Sequence, residues 1–119
     1  DFAEKIMKLT NRFPISEKFG IVSQMNRAAI SIPSQIAEGC GRNSNKDFVR
    51  FLSISAGSAY ELETQIIIAN RMEYINCDTL AHLQNDCLEL QKMIYSLQKA
   101  IHITNIHERQ KYLIQGTQY

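Results

Sequence analysis

The feature that most constrains this chain is an apolar stripe that repeats at alternating steps of three and four residues. It reads Leu80, Leu83, Cys87, Leu90, Ile94, Leu97 and Ile101. Such spacing keeps one seam on one side of a helix over several turns, which a strand with its two-residue repeat cannot do. A second stripe, Phe48, Leu52, Ser55, Ala59, Leu62, Ile66 and Ala69, has the same rhythm. A third reads Phe19, Val22, Met25, Ala29, Ile32 and Ile36, and Phe2, Ile6 and Leu9 outline a shorter first helix. The run Gln65-Ile66-Ile67-Ile68 would suit a strand in isolation, but it continues a helical stripe.

Five glycines and two prolines in 119 residues leave few places to turn, so the elements must be long. Short connections between long amphipathic helices favour antiparallel neighbours. The expected fold is therefore all-α, an antiparallel up-down-up-down four-helix bundle. Residues 1–104 form its single domain and residues 105–119 a C-terminal tail without clear periodicity.

Local chemistry places the ends. The first helix stops before Pro14, because the residue before proline avoids helical geometry. Ser16 and Glu17 offer the next start. Ser44-Asn45-Lys46-Asp47 has the form of a capping box. That helix should end near Glu73, with Asn76 and Cys77 in a turn and Asp78 or Thr79 capping the last helix.

Between them stands Ser31-Ile32-Pro33-Ser34-Gln35-Ile36-Ala37-Glu38-Gly39-Cys40-Gly41-Arg42. A phosphate loop needs a lysine and a Ser or Thr after its glycines, and a dinucleotide loop needs a third glycine after a strand. Neither pattern is present. The apolar stripe passes through Pro33 without a change of phase, so one continuous helix is expected, kinked at Pro33 and ending around Gly39–Arg42. Ser31 and Ser34 can offer hydroxyls to the disturbed backbone, and Gly41 suits a left-handed end.

A turn centred on Ser44 brings residues whose numbers sum to about 88 to equal height. Ile36 then meets Leu52, Ala29 meets Ala59, and Arg27 meets Glu61. Pro33 faces Ser55-Ala56-Gly57-Ser58-Ala59, whose small side chains leave room for a kinked neighbour. A partly buried Arg27–Glu61 pair would fix register more than add stability.

The composition excludes several classes. No apolar run approaches the ~18 residues of a membrane span. The first residues lack the build of a signal peptide. They also lack an initiating Met, so the natural start is expected to be missing or disordered. Cys40, Cys77 and Cys87 form no CxxC, and reduced thiols in a cytoplasmic protein are expected. Net charge is only +1, yet it is unevenly spread. Residues 1–30 carry five basic against three acidic residues, residues 31–91 four against eight, and residues 92–119 four against one.

Catalytic and metal chemistry find little support. Glu38, Glu61 and Glu63 would suit a carboxylate site in a bundle, but no Glu has a His three residues later, as di-iron bundles require. Glu38 and Arg42 have the spacing of an ion pair within one helix. Cys40 has a nearby cation but no histidine close in sequence. No enzyme, metal or cofactor is expected. The residues offered for structural or partner contact are Arg27, Pro33, Glu38, Arg42, Gly57, Glu61 and Glu63. Those offered for nucleic acid are Lys92, Lys99, His102, Arg109 and Lys111, with Lys5, Lys8 and Arg12 at the other basic end. Tyr95, Tyr112 and Tyr119 could stack on bases.

The stretch Gln24-Met25-Asn26-Arg27-Ala28-Ala29-Ile30-Ser31-Ile32-Pro33-Ser34-Gln35-Ile36-Ala37-Glu38-Gly39, then Gly41-Arg42, resembles the signature of the bacterial 23S rRNA intervening-sequence protein family, a ribosomal protein-like group. Phe48, Phe51-Leu52, and Gly57-Ser58 followed by Glu61-Leu62-Glu63-Thr64-Gln65 resemble its second block. The likeness covers roughly residues 13–100, and members usually begin with an extra segment before the first helix. It implies a left-handed four-helix bundle assembled as a homopentameric ring. It also implies kinship with the accessory variability protein of diversity-generating retroelements, a pentameric bundle that binds nucleic acid. The expected function is therefore a non-enzymatic oligomer that binds RNA or DNA through basic faces repeated around a ring. The alternative is a protein-interaction scaffold without nucleic-acid binding.

Overall fold

The computed structural model describes residues 1–101, so the tail, His102, Arg109, Lys111, Tyr112 and Tyr119 lie outside the described residues. Among the described residues the chain forms four α-helices and no strand. These are α1 (Phe2–Thr10), α2 (Ile21–Cys40), α3 (Asn45–Arg71) and α4 (Cys77–Ala100), with a short 3₁₀ turn at Ile15–Glu17.

The stripes become the core. Phe48, Leu52, Ser55, Ala59, Leu62, Ile66 and Ala69 of α3 are all fully buried, and they meet Met25, Ala29, Ile32 and Ile36 of α2. Leu83, Cys87, Leu90, Ile94 and Leu97 of α4, with Phe2, Ala3 and Ile6 of α1, complete a single cluster. The cross-helix pairs fix the direction of α3 relative to α2. Arg27 meets Glu61, Ser31 meets Ser58 and Ile32 meets Ser55, so numbers fall on one helix as they rise on the other. On the other side Gln91 reaches Glu63 and Gln98 reaches Ser53, which makes α3 and α4 antiparallel too.

Helix α2 runs unbroken across Pro33. At this height the bonds between helices come from the residues just before the proline. Ser55 Oγ donates to the Ile32 carbonyl at 2.8 Å, and Ser58 Oγ lies 2.8 Å from Ser31 Oγ. Ser31 thus serves the partner helix rather than its own backbone.

Several ends differ from expectation. α2 starts at Ile21 rather than near Ser16, because the intervening residues wind into a 3₁₀ turn and Gly20 forms the N-terminal boundary. Phe19 consequently stands outside the helix, 90% exposed, instead of opening the stripe. Gly41 closes α2 with right-handed angles, φ −82° and ψ −5°, so no left-handed glycine is used. The left-handed residue is Glu73, at φ 65°. There the amide of Tyr74 bonds the carbonyl of Ala69 and the amide of Glu73 that of Asn70, the paired bonds of a Schellman end. Asn76, not Asp78 or Thr79, caps α4, accepting from the Thr79 amide at 2.8 Å. Ser44 caps α3 as expected, accepting from the Asp47 amide at 3.1 Å.

The α1–α2 connection is pinned to the α3–α4 turn. The Phe13 ring sits 5.3 Å from that of Tyr74, whose hydroxyl donates to Glu17 at 3.2 Å. Partial desolvation and the neighbouring carboxylate push the Tyr74 hydroxyl above its usual pKa.

Candidate nucleic-acid interface

Helix α1 is short and two-faced. Phe2, Ala3, Ile6 and Thr10 point into the bundle, and Thr10 Oγ1 donates to Asn26 Oδ1 of α2 at 2.8 Å. Lys5, Lys8 and Arg12 follow at steps of three and four, which places them along one side of the helix. That side borders α4. Lys5 Nζ reaches Asp86 Oδ2 at 2.8 Å and ties the two elements together.

Between the helices lies a groove of about 320 Å³ lined by Lys5, Lys8, Leu9, Arg12, Thr79 and Leu83. Three cations from one short segment therefore meet a hydroxyl near the start of α4. Lys8 and Arg12 are exposed and make no ion pair among the described residues. The Thr79 hydroxyl makes no hydrogen bond among them either. The groove can receive an anion, with charge from two uncommitted cations and a hydrogen bond from Thr79.

The second basic region stays apart. Lys92 and Lys99 are exposed on α4, and Lys99 Nζ lies 4.5 Å from the centre of the half-exposed Tyr95 ring. Lys92 is nine residues beyond Leu83, about 14 Å along a helix. These lysines do not line the groove.

The acids proposed from sequence go to separate partners. Glu38 pairs with Arg42 at 2.7 Å, Glu61 with Arg27 at 3.2 Å, and Glu63 accepts from Gln91 at 2.9 Å. The Arg27–Glu61 pair is far more exposed than expected, with side chains 70% and 44% accessible. Glu61 also accepts from Gln65 at 3.2 Å. Pro33 is half-buried. Gly57 is exposed, and a Cβ there would meet nothing within 4 Å, so it makes no room for α2; Ser55, Ser58 and Ala59 are the small residues buried at this height. Burial, with help from Glu63 and Asp86, pushes the Cys87 thiol up to about 12, which leaves it protonated and inert as a nucleophile.

Sequence reasoning undervalued one corner. A Cβ on Gly39 would come within 2.9 Å of Phe48 Cδ1 and Phe51 Cβ, so only glycine lets α2 and α3 close at their turn. Arg42 and Arg50 cover the Phe51 ring at 4.8 and 4.5 Å from its centre. Arg42 also meets Glu38 of α2 at 2.7 Å and Arg50 meets Asp47 of α3 at 3.6 Å, so each guanidinium here has an acid beside it. The spacing of Lys5, Lys8 and Arg12 was visible in the chain. Their opposite wall was not, because nothing local says which helix α1 will lie beside.

Residues 1–96 match the family described as 23S rRNA-intervening sequence protein. A solved structure from Bacteroides thetaiotaomicron VPI-5482, a protein with unknown function from the S23 ribosomal protein family, is 30% identical. The likeness covers 83% of this chain and 93% of that one, with a TM-score of 0.76. No curated protein matches the chain.

Proposed function

The chain belongs to the 23S rRNA-intervening sequence protein family, and from that premise we propose that it is a non-enzymatic, oligomeric bundle that binds RNA or DNA. The observation that carries this reading is the α1–α4 groove, where Lys5, Lys8 and Arg12 converge and, among the described residues, only Lys5 is ion-paired, with Asp86. A near-neutral chain that gathers cations in one place can hold a polyanion locally without being basic throughout. Lys92 and Lys99, with Tyr95 beside them, form a secondary basic face.

In this reading the protein works in the cytoplasm as a homopentameric ring that repeats the groove around its circumference. Several weak phosphate contacts then act together on one strand. Exposed apolar side chains on α3, Ile54, Tyr60 and Ile68, at 41%, 59% and 46%, support association between copies. Among the described residues no helix is long and apolar enough to cross a membrane.

A protein-interaction scaffold is the second reading, favoured by Ile15 and Phe19. Both stand in the α1–α2 connection, 89% and 90% exposed and outside the core cluster, with Phe19 meeting only the Lys18 ammonium, 5.6 Å from its ring centre, among the described residues.

Binding of labelled RNA and DNA across a salt series separates the two. Phosphate-driven affinity falls linearly on a double-logarithmic plot as salt rises. No binding at low salt leaves the scaffold reading.

A further inference from the structure

We propose that the α1–α4 groove is a seat for a single backbone phosphate, and that Asp86 limits its strength by holding Lys5. This rests on the nucleic-acid reading above and assigns it a specific site. The groove offers three kinds of contact in one place. Lys8 and Arg12 supply charge and make no ion pair among the described residues, with Glu4 one turn before Lys8 on the same helix. Thr79 supplies a hydroxyl with no other use there. Leu9 and Leu83 supply the apolar part of the lining.

Lys5 is the third cation, but its ammonium is engaged 2.8 Å from Asp86 Oδ2. Its side chain remains 55% exposed and Asp86 30% exposed, so the pair is accessible to competing anions. An incoming phosphate must share Lys5 with this carboxylate and also meets the negative charge of Asp86 itself. The bridge thus holds α1 beside α4 and weakens the groove for anions. Replacing Asp86 with a neutral isostere removes the competitor and leaves Lys5 in the lining.

The test uses the full chain and fluorescence anisotropy with a 20-nucleotide single-stranded RNA and the DNA of the same sequence. Lys8→Ala with Arg12→Ala should weaken both probes about tenfold and lower the salt slope by about 0.7, the contribution of one neutralised phosphate on a single strand. Asp86→Asn should tighten both probes by about threefold and raise the slope. Thermal melting of each variant checks that the bundle survives, as the three substituted side chains lie at the surface or half-buried. A wild-type chain that binds, with the Lys8/Arg12 variant unchanged, overturns the groove and leaves nucleic-acid binding standing. An Asp86→Asn chain that stays folded but binds no tighter overturns the role given to Asp86. Absence of any binding by the wild type defeats the functional reading and this inference with it.

Discussion

The Ile32 carbonyl, immediately before Pro33, accepts a 2.8 Å hydrogen bond from Ser55 Oγ on the facing helix, and Ser55 is completely buried. A polar side chain thus occupies an apolar stripe position because it spans the two backbones where they approach closely. Ser55→Ala should cost about 1 kcal/mol, the usual net value of one such bond, and Ser55→Leu more, through overpacking. Chemical denaturation of the two variants checks the order.

Two glycines should respond in opposite directions. Gly39→Ala places a Cβ 2.9 Å from Phe48 and Phe51. It should destabilise by about 1–3 kcal/mol despite alanine's better helix propensity. Gly57→Ala meets nothing within 4 Å, and should stabilise by up to about 1 kcal/mol. Melting temperatures of the pair decide the matter.

Glu73 adopts φ 65° without being glycine. A side chain in that region costs roughly 1 kcal/mol. Glu73→Gly should therefore raise stability by about that amount while keeping the Schellman end. A lower melting temperature would show that the Glu73 side chain has a stabilising role of its own.

Arg27 and Glu61 meet at 3.2 Å, but their side chains are 70% and 44% exposed. A double-mutant cycle with alanine should give a coupling of about 0.5 kcal/mol or less, shrinking further in high salt. Coupling several times larger would restore a register-fixing role to this pair.

The helical stripes were legible because burial and the 3.6-residue turn leave a regular trace, and Leu52, Ile66, Leu90 and Ile94 fall where their spacing put them. The pairing of Arg27 with Glu61 followed from the position of one turn. What the chain concealed was cost and context. Phe19 matched the stripe by phase, but a 3₁₀ turn removed it from the helix. Gly41 had the residue type for a left-handed end, whereas it is Glu73, in the short link between α3 and α4, that adopts one. Gly57 appeared to be a packing glycine, and that requirement belongs to Gly39. Asp86 had no role, and Thr79 only that of a candidate cap, until α1 lay beside them.

The account is tested most directly by charge reversal at its two basic regions. Lys8→Glu with Arg12→Glu and Lys92→Glu with Lys99→Glu change net charge equally, so any difference in RNA affinity reports place rather than total charge. The groove account predicts that the first pair loses at least about ten times more affinity than the second at 100 mM salt, by the steep dependence of such binding on local phosphate contacts. Equal losses, or a greater loss from the Lys92 and Lys99 pair, would contradict it.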